Sequence, residues 1–213
     1  KEGMDPDEAL YRVLKETIIA SQDIRFEGDG YSEEWKQEAA RRGLTNICHV
    51  PEAIMKFNAP QSKAVLLGEN IFNENELNCR IEVELEKFTK KVQIESRVLG
   101  DLAINHIIPT AVIYQNRLLE NLRGLRETFS PEEYEQLGAD RRELVKDIQI
   151  RILAIKQLVR KMTEARKISN HLPSQIEKAF SYADTVRPYL DEIRDHIDQL
   201  ELEIDDEIWP LPK

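Results

Sequence analysis

Apolar residues recur at three- and four-residue steps through the C-terminal two-thirds of the chain, and the first such run starts near Asn75. Its members are Leu77, Ile81, Leu85, Phe88, Val92, Leu99 and Leu102. This spacing gathers the apolar side chains on one face of a helix. The sequence therefore predicts one helix from about Asn75 at least to Asn105.

Pro109 falls inside the same apolar pattern, which resumes at Ile113, Leu118 and Leu122. Proline removes one amide donor and crowds the carbonyl group four residues back. We therefore predict a kink near Ile108 rather than the end of the helix. Both halves together would span about 80 Å at 1.5 Å per residue.

Two more apolar stripes predict a helix over residues 140–169 and another from Ser174 to a stop at Trp209. Because the connections are short, successive long helices should be antiparallel neighbours. Prolines and cap residues at Pro6, Ser32, Pro51 and Pro60 predict shorter helices in the N-terminal third. The predicted fold is all-α: residues 75–213 form a long kinked helix in an up-down-up three-helix bundle, and the short helices and turns of residues 1–74 pack on it.

Composition narrows the class of protein. The chain has 213 residues, 40 of them acidic and 30 basic, for a net charge of −10, which disfavours binding to nucleic acid. No apolar run approaches the roughly 20 residues that span a bilayer, and no leader opens the sequence. Cys48 and Cys79 belong to no Cys-x-x-Cys pair and suit reduced thiols. We expect a cytoplasmic protein without membrane or nucleic-acid partners.

Several polar residues invite a functional interpretation. Counting along the stripe places Glu95 and His106 toward the bundle, either as a reactive pair or as buried residues satisfied by a neighbouring helix, and the second alternative is favoured. The chain has no Glu-x-x-His pattern, and Glu192 with His196 does not make a carboxylate-bridged metal site. Neither Cys48 beside His49 nor any serine comes with a base and an orienting group. The segment 28–30 is interpreted as a turn rather than a phosphate loop.

The acidic run from Asp195 to Trp209 contains no lysine or arginine. One explanation is a solvated face. The other is that basic side chains lie alongside it, for which the bundle offers Arg123, Arg126, Arg141 and Arg142.

The segment around Pro109 also carries a specific resemblance. Nearly the whole of this chain resembles in sequence the C-terminal region of type III glutamine synthetases, the large bacterial and protist form of glutamate–ammonia ligase. The similar stretches are Arg25–Ser32 with Glu34 and Trp35, Arg97–Ala103, Asn105–Ala111, Tyr114–Asn116 and Asp205–Pro212. Residues 59–76 are the least similar.

The resemblance implies a domain without an active site of its own. In that family the sites for ATP, metal, glutamate and ammonium lie in a catalytic barrel whose characteristic segments are missing from these 213 residues. The parent enzyme would use ATP and Mg²⁺, whereas no cofactor, metal or catalytic residue is expected in this chain. Its partners would be its own catalytic domain and other subunits of a homo-oligomer.

The residues expected to matter for structure or interfaces are Leu77, Ile81, Leu85, Phe88, Glu95, His106, Pro109 and Trp209. The helix after Gly138 covers only about 45 Å of the longer helix. We therefore expect part of the stretch Leu77–Val92, with Leu77, Ile81, Leu85 and Phe88, to pack against the catalytic domain or a second subunit of the full enzyme. The alternative from another class is a free-standing helical adapter whose groove receives a partner helix; a metal-carboxylate oxidase bundle is excluded by its missing ligand motif.

Overall fold

The computed structural model describes residue 3 and residues 5–212, and in this part of the chain every regular element is a helix. The all-α prediction is confirmed. The chain divides into two compact units, Lys1–Cys48 and His49–Lys213. The residues that link to the long helices, from 49 to 74, thus belong to the same unit as those helices.

The first unit contains α1 (Pro6–Ala20), a short 3-10 turn (Gln22–Ile24) and α2 (Glu33–Arg41). The predicted cap of α2 is present, since the Ser32 hydroxyl accepts a hydrogen bond from the Trp35 amide at 3.2 Å. Arg42 donates to the carbonyl oxygens of Gln22 and Asp23 at 3.4 and 3.2 Å and so ties the two halves of the unit together. Among the described residues of this unit, Ala39 is the one buried apolar side chain.

The second unit contains the remaining helices of the described chain. They are α3 (Val50–Met55), a 3-10 turn (Lys56–Asn58), α4 (Pro60–Gly68), α5 (Glu74–Leu102), α6 (Ile108–Thr128), α7 (Pro131–Leu137), α8 (Ala139–Asn170), α9 (Gln175–Ser181) and α10 (Arg187–Glu203). Helix α8 packs against both α6 and α10, whereas α5 packs mainly against α9 and α3 and also contacts α10 and α8. The two halves of the long helix thus share α8 but differ in their main neighbours.

Local sequence explains where several of these helices begin. Capping boxes, in which a cap side chain and the third helical residue satisfy each other's backbone amides, start α5, α7 and α9. At α5 the Asn73 side chain accepts from the Glu76 amide at 2.9 Å, and the Glu76 carboxylate accepts from the Asn73 amide at 2.8 Å. These residues place the helix ends without help from tertiary contacts.

A π-helical turn from Ala103 to Ile107 joins α5 to α6 directly before Ile108 and Pro109. The wider turn accommodates a proline ring that would otherwise meet the carbonyl of the preceding turn. Where the sequence predicts a kink, the structure therefore shows a π-helical turn through which the helix continues.

The second π-helical turn, Tyr182–Val186, joins α9 to α10 in the same way and again precedes a proline, Pro188. Tyr182, Val186, Ala103 and Ile107 all belong to one apolar cluster. Both proline-associated turns thus contribute side chains to the main core.

The last helix ends earlier than predicted. α10 stops at Glu203, and Ile204 takes an extended conformation with φ −90° and ψ 143°. The Asp205 carboxylate accepts a hydrogen bond from the Glu207 amide at 3.0 Å, which offers the backbone a turn instead of a helix. Ile204 and Trp209 remain buried, so the apolar pattern continues past the helix because the turn keeps its apolar side chains in the core.

Candidate functional site

The segment that carries the resemblance, residues 97–116, contributes one face to the main core. Ala103, Ile107 and Ala111 are almost fully buried in the main core. Gly100 lies close to α8, where an added Cβ would sit 3.6 Å from Met162 Cε. A Cβ at this position would therefore make ordinary van der Waals contact with α8.

Glu95 and His106, the polar pair predicted to face the bundle, are both exposed. That expectation is wrong. The buried seam passes through their neighbours Ser96 and Ile107, which are 0% and 1% exposed. A period of 3.6 residues permits either a three- or a four-residue step at each turn. The sequence count stepped three residues from Val92 to Glu95, whereas the buried face steps four residues to Ser96.

Leu77, Ile81 and Leu85 are buried in a second apolar cluster together with Ala179 of α9. The partly buried side chains packed on it are Ile54, Met55, Leu66, Leu67, Phe72 and Phe88. The expectation that this face is left free for the catalytic domain or another subunit is therefore wrong. Residues of α3 and α4, which belong to the segment expected to pack on the long helix, already cover it together with Ala179 of α9.

Hydrogen bonds between side chains join α5, α8 and the second π-helical turn. The buried Tyr182 hydroxyl donates to Asn170 Oδ1 at 2.8 Å and accepts from Gln93 Nε2 at 3.3 Å. Nearby, Gln175 Nε2 donates to the buried Thr89 hydroxyl at 3.1 Å. The sequence did not predict this network, because most of the bonded pairs lie 77 or more positions apart on different helices. Tyr182 and Asn170 are the exception, at 12 positions apart. The one available signal was Tyr182 itself, a hydroxyl within an apolar stripe.

His49 has a structural role at the start of α3. Its Nδ1 accepts a hydrogen bond from the Glu52 amide at 3.2 Å, and its Nε2 lies 3.0 Å from Asp184 Oδ1. Because Nδ1 accepts, the ring proton is on Nε2 and is donated to Asp184. The imidazole also packs on the Phe180 ring at a centroid distance of 5.1 Å. His49 thus caps α3 and connects it to the second π-helical turn through Asp184.

The acidic C-terminal end is partly paired with arginines of α6 and α8. Arg117 lies 3.6 Å from Asp205, and Arg151 lies 3.5 Å from Glu203. Burial raises the pKa of the Glu203 carboxyl, and the charge of Asp147 acts in the same direction against the attraction of Arg151.

These arginines are not the ones that the sequence suggested for this run. One of the suggested residues, Arg142, pairs instead with Glu135 of α7 at 2.7 Å. Trp209 lies buried beneath the C-terminal turn, as one of the residues of the main core.

The other candidate functional residues do not come together in a site. Within the described residues, no three or more His, Cys, Asp and Glu side chains come together in a way that could hold a metal ion. Cys48 and Cys79 are free and exposed. Asp29 Oδ1 accepts from the Tyr31 amide at 2.9 Å, so the segment 28–30 forms the predicted turn. Among the helices of residues 5–212, none has an apolar stretch of the length that a membrane span requires.

Comparisons with known proteins agree with the resemblance in the sequence. The family model described as the glutamine synthetase C-terminal domain matches residues 9–126. A glutamine synthetase of Bacteroides fragilis is 72% identical over all of this chain, which covers 29% of that protein. A type-3 glutamine synthetase of Dictyostelium discoideum is 28% identical over 96% of this chain, which covers 28% of that protein.

A third relative, a glutamine synthetase of Butyrivibrio fibrisolvens, is 31% identical over 56% of this chain and is covered over 17% of its own length. The chain therefore spans less than a third of the length of the curated relatives that it matches. The resemblance to the C-terminal region of type III glutamine synthetases is confirmed. The chain belongs to the glutamine synthetase C-terminal domain family.

Proposed function

We propose that this chain is the non-catalytic structural and oligomerisation domain of a type III glutamine synthetase. The observation that carries the proposal is the use of the family-like segment around Pro109. Four of its residues, Ala103, Ile107, Ile108 and Ala111, belong to the main core, whereas Glu95 and His106 are exposed. A segment used in this way supports the shape of a domain rather than a reaction.

By resemblance, the parent enzyme joins ammonia to glutamate with ATP and Mg²⁺ in the cytoplasm. The catalytic domain of the same polypeptide and other subunits of a homo-oligomer are the proposed partners, and neither nucleic acid nor membrane is among them. The net charge of −10 supports the exclusion of nucleic acid. ATP and Mg²⁺ belong to the catalytic domain in this proposal.

The proposed architecture of residues 75–213 is an up-down-up bundle of three long helices, with residues 1–74 as the short helices that link to the catalytic barrel. Contacts of α8 with both α6 and α10 support the bundle. The second apolar cluster supports a structural role for the segment before Asn75, because Ile54 and Leu66 pack on it.

The competing proposal, a free-standing helical adapter, has less support. Its groove for a partner helix would be the apolar face of α5, and Leu77, Ile81 and Leu85 are already covered within the chain. The length of the relatives also favours a domain of a larger enzyme.

Substitutions in the full-length enzyme test the proposal. We expect His106→Ala and Glu95→Gln to leave kcat and the KM for glutamate, ammonia and ATP within about twofold, because surface changes rarely disturb a folded domain. As the matched structural variant, Leu85→Ala should lower the thermal stability and the fraction of assembled oligomer, measured by native mass spectrometry. A large loss of kcat in an assembled His106→Ala enzyme would give this domain a catalytic role and overturn the proposal.

A further inference from the structure

Helix α1 has an apolar face that stays exposed. Leu10, Leu14 and Ile18, at successive helical turns, are 58%, 52% and 50% exposed. Val13 and Tyr11 flank them on the same side of the helix and are exposed as well. At 100° per residue these five side chains fall on one half of the helix, which we call the α1 face.

The unit that carries the α1 face has very little core of its own. Ala39 is the one buried apolar side chain among its described residues, and none of the residues of α1 is buried. A segment of this size needs buried apolar area or an external partner to keep a fixed structure. Contiguous apolar surface on a helix marks a site of interaction.

The charges of α1 help to choose among partners. Asp7, Glu8 and Glu16 outnumber Arg12 and Lys15, whereas helices that lie on anionic membranes are rich in Lys and Arg on the polar face. A lipid surface therefore fits poorly. An apolar protein surface fits the α1 face, because it requires no charge on the helix.

The relatives offer such a protein surface within the same polypeptide. All 213 residues of this chain match the Bacteroides fragilis protein, and 71% of the length of that protein lies outside the match. A surface tethered to the helix also has an advantage over a second copy, because tethering raises its effective concentration to roughly the millimolar range.

We propose that the α1 face docks on the part of the glutamine synthetase polypeptide that lies outside these 213 residues. This inference rests on the proposed function and adds the surface through which the domain is held. Leu10, Leu14 and Ile18 are its central contacts. The docked helix would fix the position of the first unit on the enzyme.

Photo-crosslinking in the full-length enzyme tests the inference. A benzophenone amino acid replaces Leu14 in one preparation and Glu16, which faces the opposite side of α1, in the control. We expect crosslinks from position 14 to peptides outside the 213 residues, in roughly tenfold excess over the control, because the probe at position 14 lies against the docked surface and the probe at position 16 faces away from it. Position 10 serves as a second site in case the probe at position 14 disturbs the fold.

The other outcomes contradict the proposal. Crosslinks from position 14 to residues 49–213, to α1 of a second copy or to lipid would each assign the α1 face to a different partner. Equal yields from positions 14 and 16 would mean that no partner covers the face. Mixed isotopically labelled subunits identify crosslinks between copies.

Hydrogen exchange gives an independent readout. In the full-length enzyme, Leu14→Asp should speed exchange in Pro6–Ala20 by about tenfold, whereas Glu16→Asp on the polar side, which keeps the charge, should not. Equal exchange in both variants would argue against docking. Failure of the proposed function is distinguishable, because it would appear as a catalytic defect in His106→Ala with unchanged crosslinks from position 14.

Discussion

The adjacent residues His106 and Ile107 allow a direct test of the helix register in the family-like segment. His106 is exposed, whereas Ile107 is 1% exposed and lies in the main core. Replacing each with alanine removes a side chain of similar reach one position apart. The sequence count placed His106 toward the bundle, and the structure places Ile107 there.

The magnitude follows from the burial of Ile107. Its change to alanine removes three carbon groups from the core, worth about 0.8 kcal/mol each or about 2.4 kcal/mol in transfer free energy. The cavity left behind adds to this figure, so we expect a loss of roughly 2.5–4 kcal/mol in the free energy of unfolding. His106→Ala should stay within about 0.5 kcal/mol of the unmodified chain, because its side chain is exposed.

Urea unfolding of the 213-residue chain, followed by circular dichroism, measures the difference. With an m value of roughly 2–3 kcal/mol/M, Ile107→Ala should lower the midpoint by about 1 M urea. Equal midpoints for the two variants, or a larger loss in His106→Ala, would refute the register and with it the packing role of this segment. An unchanged m value in both variants is the control for two-state comparison.

Three further predictions concern a hydrogen bond of the core, the carboxyl at the end of α10 and Pro109. Tyr182→Phe should cost about 1 kcal/mol in urea unfolding, because it deletes a 2.8 Å hydrogen bond to Asn170; a stabilised variant would contradict this. Burial raises the pKa of Glu203, so the contribution of this carboxyl to stability is fully present below its unfolded-state pKa and is lost as pH rises through the higher folded-state pKa. The stability of the unmodified chain relative to Glu203→Gln, measured as unfolding free energies, should therefore fall as pH rises above about 4. The opposite trend would show that the ion pair with Arg151 dominates. Pro109→Ala should keep the π-helical turn and change stability by less than about 1 kcal/mol, because the buried residues on both sides require that register; a crystal structure with a regular α-helix through the turn would count against it.

The sequence determined the secondary structure of this protein largely through local chemistry. The predicted caps and prolines, such as Ser32 at α2 and Pro6 at α1, lie where the helices begin. These signals act within four residues, so they need no knowledge of the rest of the chain. The resemblance around Pro109 determined the family in the same local way, because it depends on the order of particular residues.

Tertiary structure decided which face of each helix is buried and where the last helix ends. The step from Val92 to Ser96 rather than to Glu95 depends on the helices that pack against α5, because a helical period of 3.6 residues allows both choices. Likewise, Ile204 and Trp209 continue the apolar pattern of a helix but are buried from a turn. An apolar residue gains the same transfer free energy when it is buried from a helix or from a turn. The apolar pattern therefore predicts which residues are buried, whereas the surrounding packing decides the backbone conformation.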